Sequence, residues 1–535
     1  MKLCDRGRLL PGYLADCVVI EKDKSLNIVA VYKNGKKIDP KDKQKLSYDW
    51  PAEYKNSINI PELKPSDFII RKDDLLKNFS LFTSSTDFSK LPEELRQLVS
   101  DTVDISNPFS ENKINQASDG SNRQINIKLR VMELQDGSTR IKQTIKSFIF
   151  DIDNNCLLLN DTKISSNEKI AKLACINRYS GKGEKSFALV TGDMIKEGAI
   201  ASTWSHDSHN LMVMGHSDED MAIASSRLHE LGGGIVAVKN GKILAELKLE
   251  IAGIVTEEPA EICAKQLSEL RQAWTDLGYN HYNPFMSFGT LGLLVSPSIK
   301  LSDKGLISVE HASRLPLIDI PAVSNRSAEA KKLTQKLIDI SNEKEDPSVL
   351  LDFERSLYID KKGRVLPSNI CPNELQSKHS SSEEFSLLSI KVRDYTPENP
   401  EKGFVPCYYI SIFLDEEHAG NILLRTRPWQ NVVWAGNIGY RIFPKFRGRN
   451  LLTPALYLME DLGRHLGNDY WIIANKEWNY ASRTVCEKLA CTYLGCFELP
   501  EDSDLRIEGE DEKMHSFIYM LGKNKLSESP LNNKN

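Results

Sequence analysis

The sequence predicts a multidomain chain of α/β and α+β class, with two mixed strand-and-helix units separated by a polar connector. Three observations lead there. Segment 186–256 runs strand, capped helix, glycine stop and hairpin. Segment 386–524 shows a second alternation of strands and amphipathic helix. Between them, residues from about 320 to 385 are polar and end in Ser380-Ser381-Ser382-Glu383-Glu384, the composition of a linker. A length of 535 residues accommodates two to four domains with cores of their own.

Composition narrows the function classes. Hydrophobic residues are 40% and charged residues 27% of the chain, ordinary values for a globular protein. There are 69 basic and 74 acidic residues, a net charge of −5. A general nucleic-acid binder needs clustered positive charge, so no nucleic-acid partner is expected, although a small local anion site is compatible with this balance. No apolar run reaches the ~18 residues that span a bilayer, so no membrane partner is expected. Charge at Lys2, Asp5 and Arg6 precedes any apolar segment, unlike a signal peptide. The ten cysteines include no Cys-x-x-Cys pair. Reduced, mostly buried thiols in a cytoplasmic chain are the expectation.

Taken in order, residues 1–40 read as a short β unit. Pro11-Gly12 is a turn, Ala15 to Ile20 and Ile28 to Tyr32 are strands, and Asn34-Gly35 closes the second. Residues 41–123 are mixed, and Asp101 to Arg123, rich in Ser, Asn and Asp, reads as loop or insertion. Strands are expected around Ile125–Val131, Ser147–Ile152 and Phe187–Val190. Ser217 and Asp220 form an expected capping box for a helix whose inner face carries Met221, Ala224, Leu228 and Leu231. Gly232-Gly233-Gly234 ends it. Asn240-Gly241, between Ile235–Val238 and Ile243–Leu247, is a type I′ hairpin signal. Glu261 to Leu277 is a further amphipathic helix, and the tail 525–535 is polar.

The stretch Gly198 to Asn210 reads GAIASTWSHDSHN. His206 and His209 bracket Asp207 and Ser208, and His216 lies nearby. Imidazoles beside a carboxylate suit metal ligation or proton transfer, while the same spacing also suits a structural loop. With GHSDEDMAIASSRLHELGGGIVAV (Gly215–Val238), LEIAGIV (Leu249–Val255), NPFMSF (Asn283–Phe288) and LSDKGLISVE (Leu301–Glu310), this stretch resembles the C-terminal domain of bacterial adenine deaminases of the amidohydrolase superfamily. DRGRLLPGYLADCVVI (Asp5–Ile20) resembles the segment that follows their barrel and completes a small β domain. The resemblance implies hydrolytic deamination of adenine to hypoxanthine by metals, Mn, Fe or Zn, held in a (β/α)₈ barrel, where they lower the pKa of a bound water. That barrel is expected to be absent here. No His-x-His occurs, and 41–106 is far short of the ~250 residues a barrel needs. A family Arg-His pair corresponds to Arg178-Tyr179. His206, Asp207, His209 and Asn210 are carried over as remnants of the catalytic site, with no metal ligands assigned. A separate barrel chain is then an expected partner, with a purine as substrate.

From Asn437 the chain reads NIGYRIFPKFRGRNLLTPALYLMEDLGRHLG. A strand leads through a basic turn into a helix with Thr453 as expected N-cap, Pro454 at the first position, and Ala455, Leu458, Met459, Leu462 and Leu466 on one face, stopped by Gly467. A basic turn before a helix N-terminus is a physical anion site, and equally an ordinary strand–helix turn. With WNYASRTVCEKLACTYLG (Trp478–Gly495), the segment is similar to the GNAT acetyltransferase superfamily, nearest the branch that acetylates ribosomal proteins. The resemblance implies acetyl-CoA as cofactor, bound by Arg447, Gly448, Arg449, Asn450 and Asn479, and an amine as acceptor. Leu452 replaces a small residue and is expected to crowd the pyrophosphate. Cys486 stands at the usual tyrosine acid and Ala490 at a usual glycine. Glu416, Glu417 and Glu460 are possible bases without a decisive spacing.

The expected domains are therefore a small β remnant over 1–40, an insertion over 41–123, an adenine deaminase C-terminal domain over 124–318, a linker over 319–385, a GNAT-like mixed α/β domain over 386–524 and a tail over 525–535. The 386–524 unit is expected to fold on its own. Three functions follow: adenine deaminase-related hydrolase, GNAT-type N-acetyltransferase, or non-catalytic binding module.

Overall fold

The computed structural model describes residues 5–21, 27–38, 50–55, 57–79, 88–114, 122–159, 169–342, 348–366, 385–399, 401, 404–507 and 512–522. The Ser380–Glu384 run and the 525–535 tail lie outside the described residues. Two compact units are present, Met1–Tyr54 and Lys55–Asn535.

The first unit holds a three-stranded antiparallel sheet in the order β1 (Cys17–Ile20), β2 (Ile28–Lys33), β3 (Lys36–Ile38). Asn34 and Gly35 take φ of 49° and 77°, the two positive values a type I′ turn demands. Asp16, expected inside the first strand, instead clips this turn. Its carboxylate accepts the Asn34 N–H at 2.8 Å and Lys33 Nζ at 2.6 Å.

In the second unit, helix α1 (Glu93–Ser106) precedes an open nine-stranded sheet. Its strands are β4 (Gln124–Leu134), β5 (Lys142–Asp151), β6 (Cys156–Leu158), β7 (Ala171–Ile176), β8 (Lys185–Gly192), β9 (Ala199–Ser202), β10 (Leu211–Gly215), β11 (Gly234–Lys239) and β12 (Lys242–Lys248). They lie in the order β12-β11-β9-β10-β7-β8-β4-β5-β6, with β4 and β8 parallel. β7 and β10 are buried along their whole length, so both faces are covered and their sequences carry no polar alternation.

Helix α2 (Asp218–Leu231) starts on Ser217, whose Oγ accepts the Asp220 N–H at 3.2 Å. The second half of the expected capping box is absent. The Asp220 carboxylate reaches across to accept the N–H groups of Asn240 and Gly241 at 3.1 and 2.8 Å. Two backbone donors in the β11–β12 turn outcompete the helix's own N-cap amide for the buried Asp220 carboxylate. Gly232 ends α2 at φ 75°, with Gly233 N–H returning to Leu228 O at 2.9 Å. Helix α3 (Ala260–Asp276) follows, then a small antiparallel sheet of β13 (Ile299–Ser302), β14 (Gly305–Ser308) and β15 (Ser313–Leu315).

Helix α4 (Ala328–Asn342) and β16 (Glu354–Ile359) fall in the segment read as a linker. Ala330, Leu333 and Leu337 are buried, and Leu337 O accepts the Tyr470 hydroxyl at 2.7 Å. β16 opens an eight-stranded sheet with β17 (Ser386–Thr396), β18 (Cys407–Leu414), β19 (Glu417–Arg425), β20 (Ile438–Ile442), β21 (Tyr470–Lys476), β22 (Thr492–Glu498) and β23 (Lys513–Met520). The order is β16-β17-β18-β19-β20-β21-β23-β22. The four sheets of the described residues are open; none closes into a barrel.

The two large sheets share one core. Asp101 to Ser106, expected as loop, is the last part of α1. Thr102 Oγ1 donates to Leu494 O at 2.6 Å, and Ser106 Oγ accepts the Cys496 N–H at 2.8 Å. Burial of Val99 and Val103 against the second sheet overrides the loop-like composition of this stretch. A bridge joins Val323 to Phe497. The expected self-contained 386–524 unit is instead continuous with what precedes it, because its sheet completes its packing with α1, α4 and β16.

Candidate functional site

Two places gather the residues singled out by sequence. The first is the Ser202–Asn210 loop after β9. Thr203 anchors its start, donating from Oγ1 to Gly253 O at 2.6 Å and accepting the Gly234 N–H at 2.8 Å. His209 N–H closes the loop on Ser205 O at 2.6 Å, and the Ser205 N–H donates to His209 Nδ1 at 3.3 Å. Arg178 braces it from below, donating from Nε to His209 O, from one terminal nitrogen to Ala252 O at 2.8 Å and from the other to Ser57 Oγ at 2.9 Å. The Tyr179 hydroxyl donates to Ser208 O at 2.6 Å. Sequence reasoning treated the Arg178-Tyr179 pair as a departure from the family. In the fold it is the frame of the loop.

The rings of His206 and His209 lie 5.7 Å apart, with Trp204 5.0 Å from His206. Asp207 is exposed, whereas Asn210 points inward and is 4% exposed. The structure therefore brings His206 and His209 together and turns Asn210 away. Burial, with His206 and Arg178 nearby, holds His209 below the ordinary imidazole pKa. No group of three or more His, Cys, Asp or Glu side chains stands at metal-binding distance among the described residues. The loop can present neutral imidazole and a carboxylate from a rigid frame. The described residues give it no metal cage.

The second place is the junction of β20, β21 and helix α5 (Leu452–His465). β20 and β21 run parallel but share one register pair, Ile438 with Ile473. Beyond it, Gly439 to Ile442 are laddered to β19 alone. The diverging strands leave a wedge edged by the N–H and C=O groups of β20. At the mouth of the wedge, Arg447 to Asn450 form a turn with Gly448 at φ 79° and Asn450 at φ 54°. A Cβ on Gly448 would meet nothing within 4 Å, so this backbone faces open space. Asn450 Oδ1 accepts Lys488 Nζ at 2.7 Å, and Arg447 Nε donates to Ile442 O at 3.1 Å.

Two expectations change here. Thr453 is not the N-cap. The helix starts at Leu452, Leu451 takes the cap position without a side-chain bond, and Thr453 is buried in the first turn. Burial of Leu451 and Leu452 pulls the chain into helix early, and Pro454 is tolerated because first-turn amides have no intrahelical acceptor. Leu452, expected to crowd the turn, is 7% exposed and belongs to the hydrophobic core.

Asn479 Oδ1 accepts the Ser482 N–H at 3.1 Å, capping helix α6 (Tyr480–Lys488). Glu460 lies on the buried face of α5, accepting from the Tyr519 hydroxyl and from Arg464, and Glu417 pairs with Lys445 on the surface. Sequence reasoning missed Gly363. A Cβ there would fall 2.3 Å from Arg449 O and 2.8 Å from Asn450 O. The turn after β16 thus backs the carbonyl side of the Arg447–Asn450 turn. The Lys-Lys-Gly-Arg run at 361–364 was the one available signal.

Comparison with known proteins matches this division. Residues 153–313 match the family described as the adenine deaminase C-terminal domain, and residues 371–492 match the GNAT acetyltransferase domain. One stretch of the chain is thus similar to adenine deaminase C-terminal domains and a later one to GNAT acetyltransferase domains. An adenine deaminase of Clostridium perfringens is 36% identical over 317 residues, covering 59% of this chain and 47% of that protein. One from Brucella abortus is 45% identical over 141 residues, 26% of this chain and 24% of that protein. The chain spans about half the length, or less, of the curated deaminases it matches. A solved RimL ribosomal L7/L12 alpha-N-protein acetyltransferase, in complex with coenzyme A, aligns with 23% of this chain and 66% of its own. At 20% identity and a TM-score of 0.19, that likeness supports nothing further. No described helix is long and apolar enough to cross a membrane.

Proposed function

We propose that the chain transfers an acetyl group from acetyl-CoA to an amine, and that its adenine deaminase-like half serves as structure. The observation that carries this reading is the wedge between β20 and β21 with the Arg447–Asn450 turn at its mouth. Parted parallel strands expose unladdered backbone of β20, which can pair with the amides of an extended cofactor arm. Arg447 and Arg449 supply charge, and Gly448 and Asn450 in left-handed conformation turn successive amides toward one side, as anion-binding backbone does. The buried Leu452 leaves that backbone accessible. Bound there, acetyl-CoA would supply an activated thioester. The chain's part is to hold its phosphates at Arg447–Arg449 and its arm along Gly439–Ile442. The acceptor amine, purine or otherwise, is not specified by these contacts.

On this reading the chain by itself does not form hypoxanthine from adenine. Deamination would need a metal-bearing barrel, on another chain or elsewhere in a longer protein, with His206 and Asp207 presented to it. Calorimetric titration of the full chain with acetyl-CoA tests the proposal. Wild type should bind, and Arg449→Ala and Gly448→Val should bind at least several-fold more weakly. Absence of binding by wild type, or indifference to both changes, would overturn it. Metal-dependent hypoxanthine release by the chain alone would restore the hydrolase reading.

A further inference from the structure

The segment Glu477–Tyr480 links β21 to α6 and carries Asn479, yet it lies beyond the ladder of its own sheet. Several of its tertiary contacts come from the other half of the chain. Glu477 pairs with Arg130 of β4, and these two side chains are 1% and 0% exposed. Trp478 stacks on His311, ring centroids 4.1 Å apart and planes at 16°. His311 is itself held by Ser308 Oγ at 2.7 Å from Nδ1. The Tyr480 N–H donates to Ser313 Oγ at 3.2 Å, and the Arg314 guanidinium lies 5.4 Å from the Tyr480 ring. Arg483, one turn into α6, donates to Asn78 O at 3.2 Å.

Contacts of four kinds therefore converge on a few successive residues: a buried ion pair, a ring stack, a backbone hydrogen bond and a guanidinium bond to a carbonyl. All come from residues before position 320. Within the second half, the segment makes local backbone bonds, from Asn479 N–H to Lys476 O, from Tyr480 N–H to Trp478 O and from Arg483 N–H to Asn479 O.

We infer that the adenine deaminase-like half positions the Glu477–Tyr480 segment, and so Asn479 and the start of α6, for cofactor binding. His311, Ser313 and Arg130 are positioning residues; none borders the wedge. The inference rests on the acetyl-transfer reading for its functional consequence but not for its structural content. A segment held this way loses order when a brace is removed, while the distant sheet edges do not. The wedge keeps its shape but one wall loosens, so cofactor binding pays for reordering that segment.

The test is hydrogen exchange on the full chain with and without acetyl-CoA, comparing wild type, His311→Ala and Ser313→Ala. Tyr282→Ala, 86% exposed and far along the sequence from these braces, serves as control. In the absence of cofactor, amides 478–488 should exchange roughly 3–10-fold faster in His311→Ala, the factor expected from losing one aromatic stack. The effect should be smaller in Ser313→Ala and absent in Tyr282→Ala. The dissociation constant for acetyl-CoA should rise by a similar factor in the two brace variants. Exchange unchanged at 478–488, or raised evenly along the whole chain in both variants, would overturn the inference. If wild type binds no acetyl-CoA while the local exchange effect is present, the bracing stands and the acetyl-transfer reading falls.

Discussion

Replacing Glu477 by Leu removes the carboxylate paired with Arg130 at the heart of the shared core. Arg130 keeps its bonds to Pro316 O at 3.1 Å and to Ile318 O, and Asp319 lies 3.6 Å away. The guanidinium therefore loses its nearest counter-charge but not every partner, which places the cost at the low end of the range for breaking a buried pair, about 3 kcal/mol. Arg130→Met should cost more. It strips donors from two carbonyls as well as from Glu477, at roughly 1–3 kcal/mol for each buried group left unsatisfied. The double variant removes both charges at once, so it should be less destabilised than the sum of the singles by about 2–3 kcal/mol. Urea unfolding of the four proteins, followed by tryptophan fluorescence, gives the cycle. Additivity within ~0.5 kcal/mol would refute the reasoning, because it would mean that the two side chains do not sense each other across the junction.

Gly363→Ala should lower the unfolding temperature and weaken acetyl-CoA binding together, since its Cβ would sit 2.3 Å from Arg449 O at a φ of 70°; melting and calorimetry on one preparation check both. Leu452→Gly should not tighten binding, as a crowded turn would require, but destabilise by about 3–5 kcal/mol through a core cavity and a helical glycine, read by urea unfolding. Arg447→Ala should weaken acetyl-CoA binding, and by a smaller factor at high salt, where the charge contribution is already screened. Lys300 is fully buried, and burial lowers its pKa to about 8 from 10.5, with Glu310 opposing. Between those values the unfolded chain binds the extra proton, so this group's contribution to stability rises with pH from about 8 to 10.5. The wild-type minus Lys300→Met difference in unfolding free energy should climb over that window, and a flat difference would refute the assignment.

Local chemistry made much of this protein legible from its sequence. Asn34-Gly35 and Asn240-Gly241 specify their turns because few residues tolerate two successive positive φ values. Ser217 and Gly232 bound α2 because a hydroxyl acceptor and a left-handed glycine satisfy helix ends wherever they occur. The ordered motifs around His206 and Arg447 located both candidate sites and both families. Tertiary structure decided what those signals could not carry. Asp220 serves the hairpin rather than its own helix, because the turn's amides come within reach only after folding. Leu452 faces the core, since the direction of one side chain depends on where the helix axis lies. Asp101–Ser106 and Ala328–Asn342 are helices because the second sheet buries their apolar faces, a reward invisible in a polar composition. Arg130 and Glu477 are 347 residues apart. No periodicity or motif relates them, and only the shared core places one charge against the other.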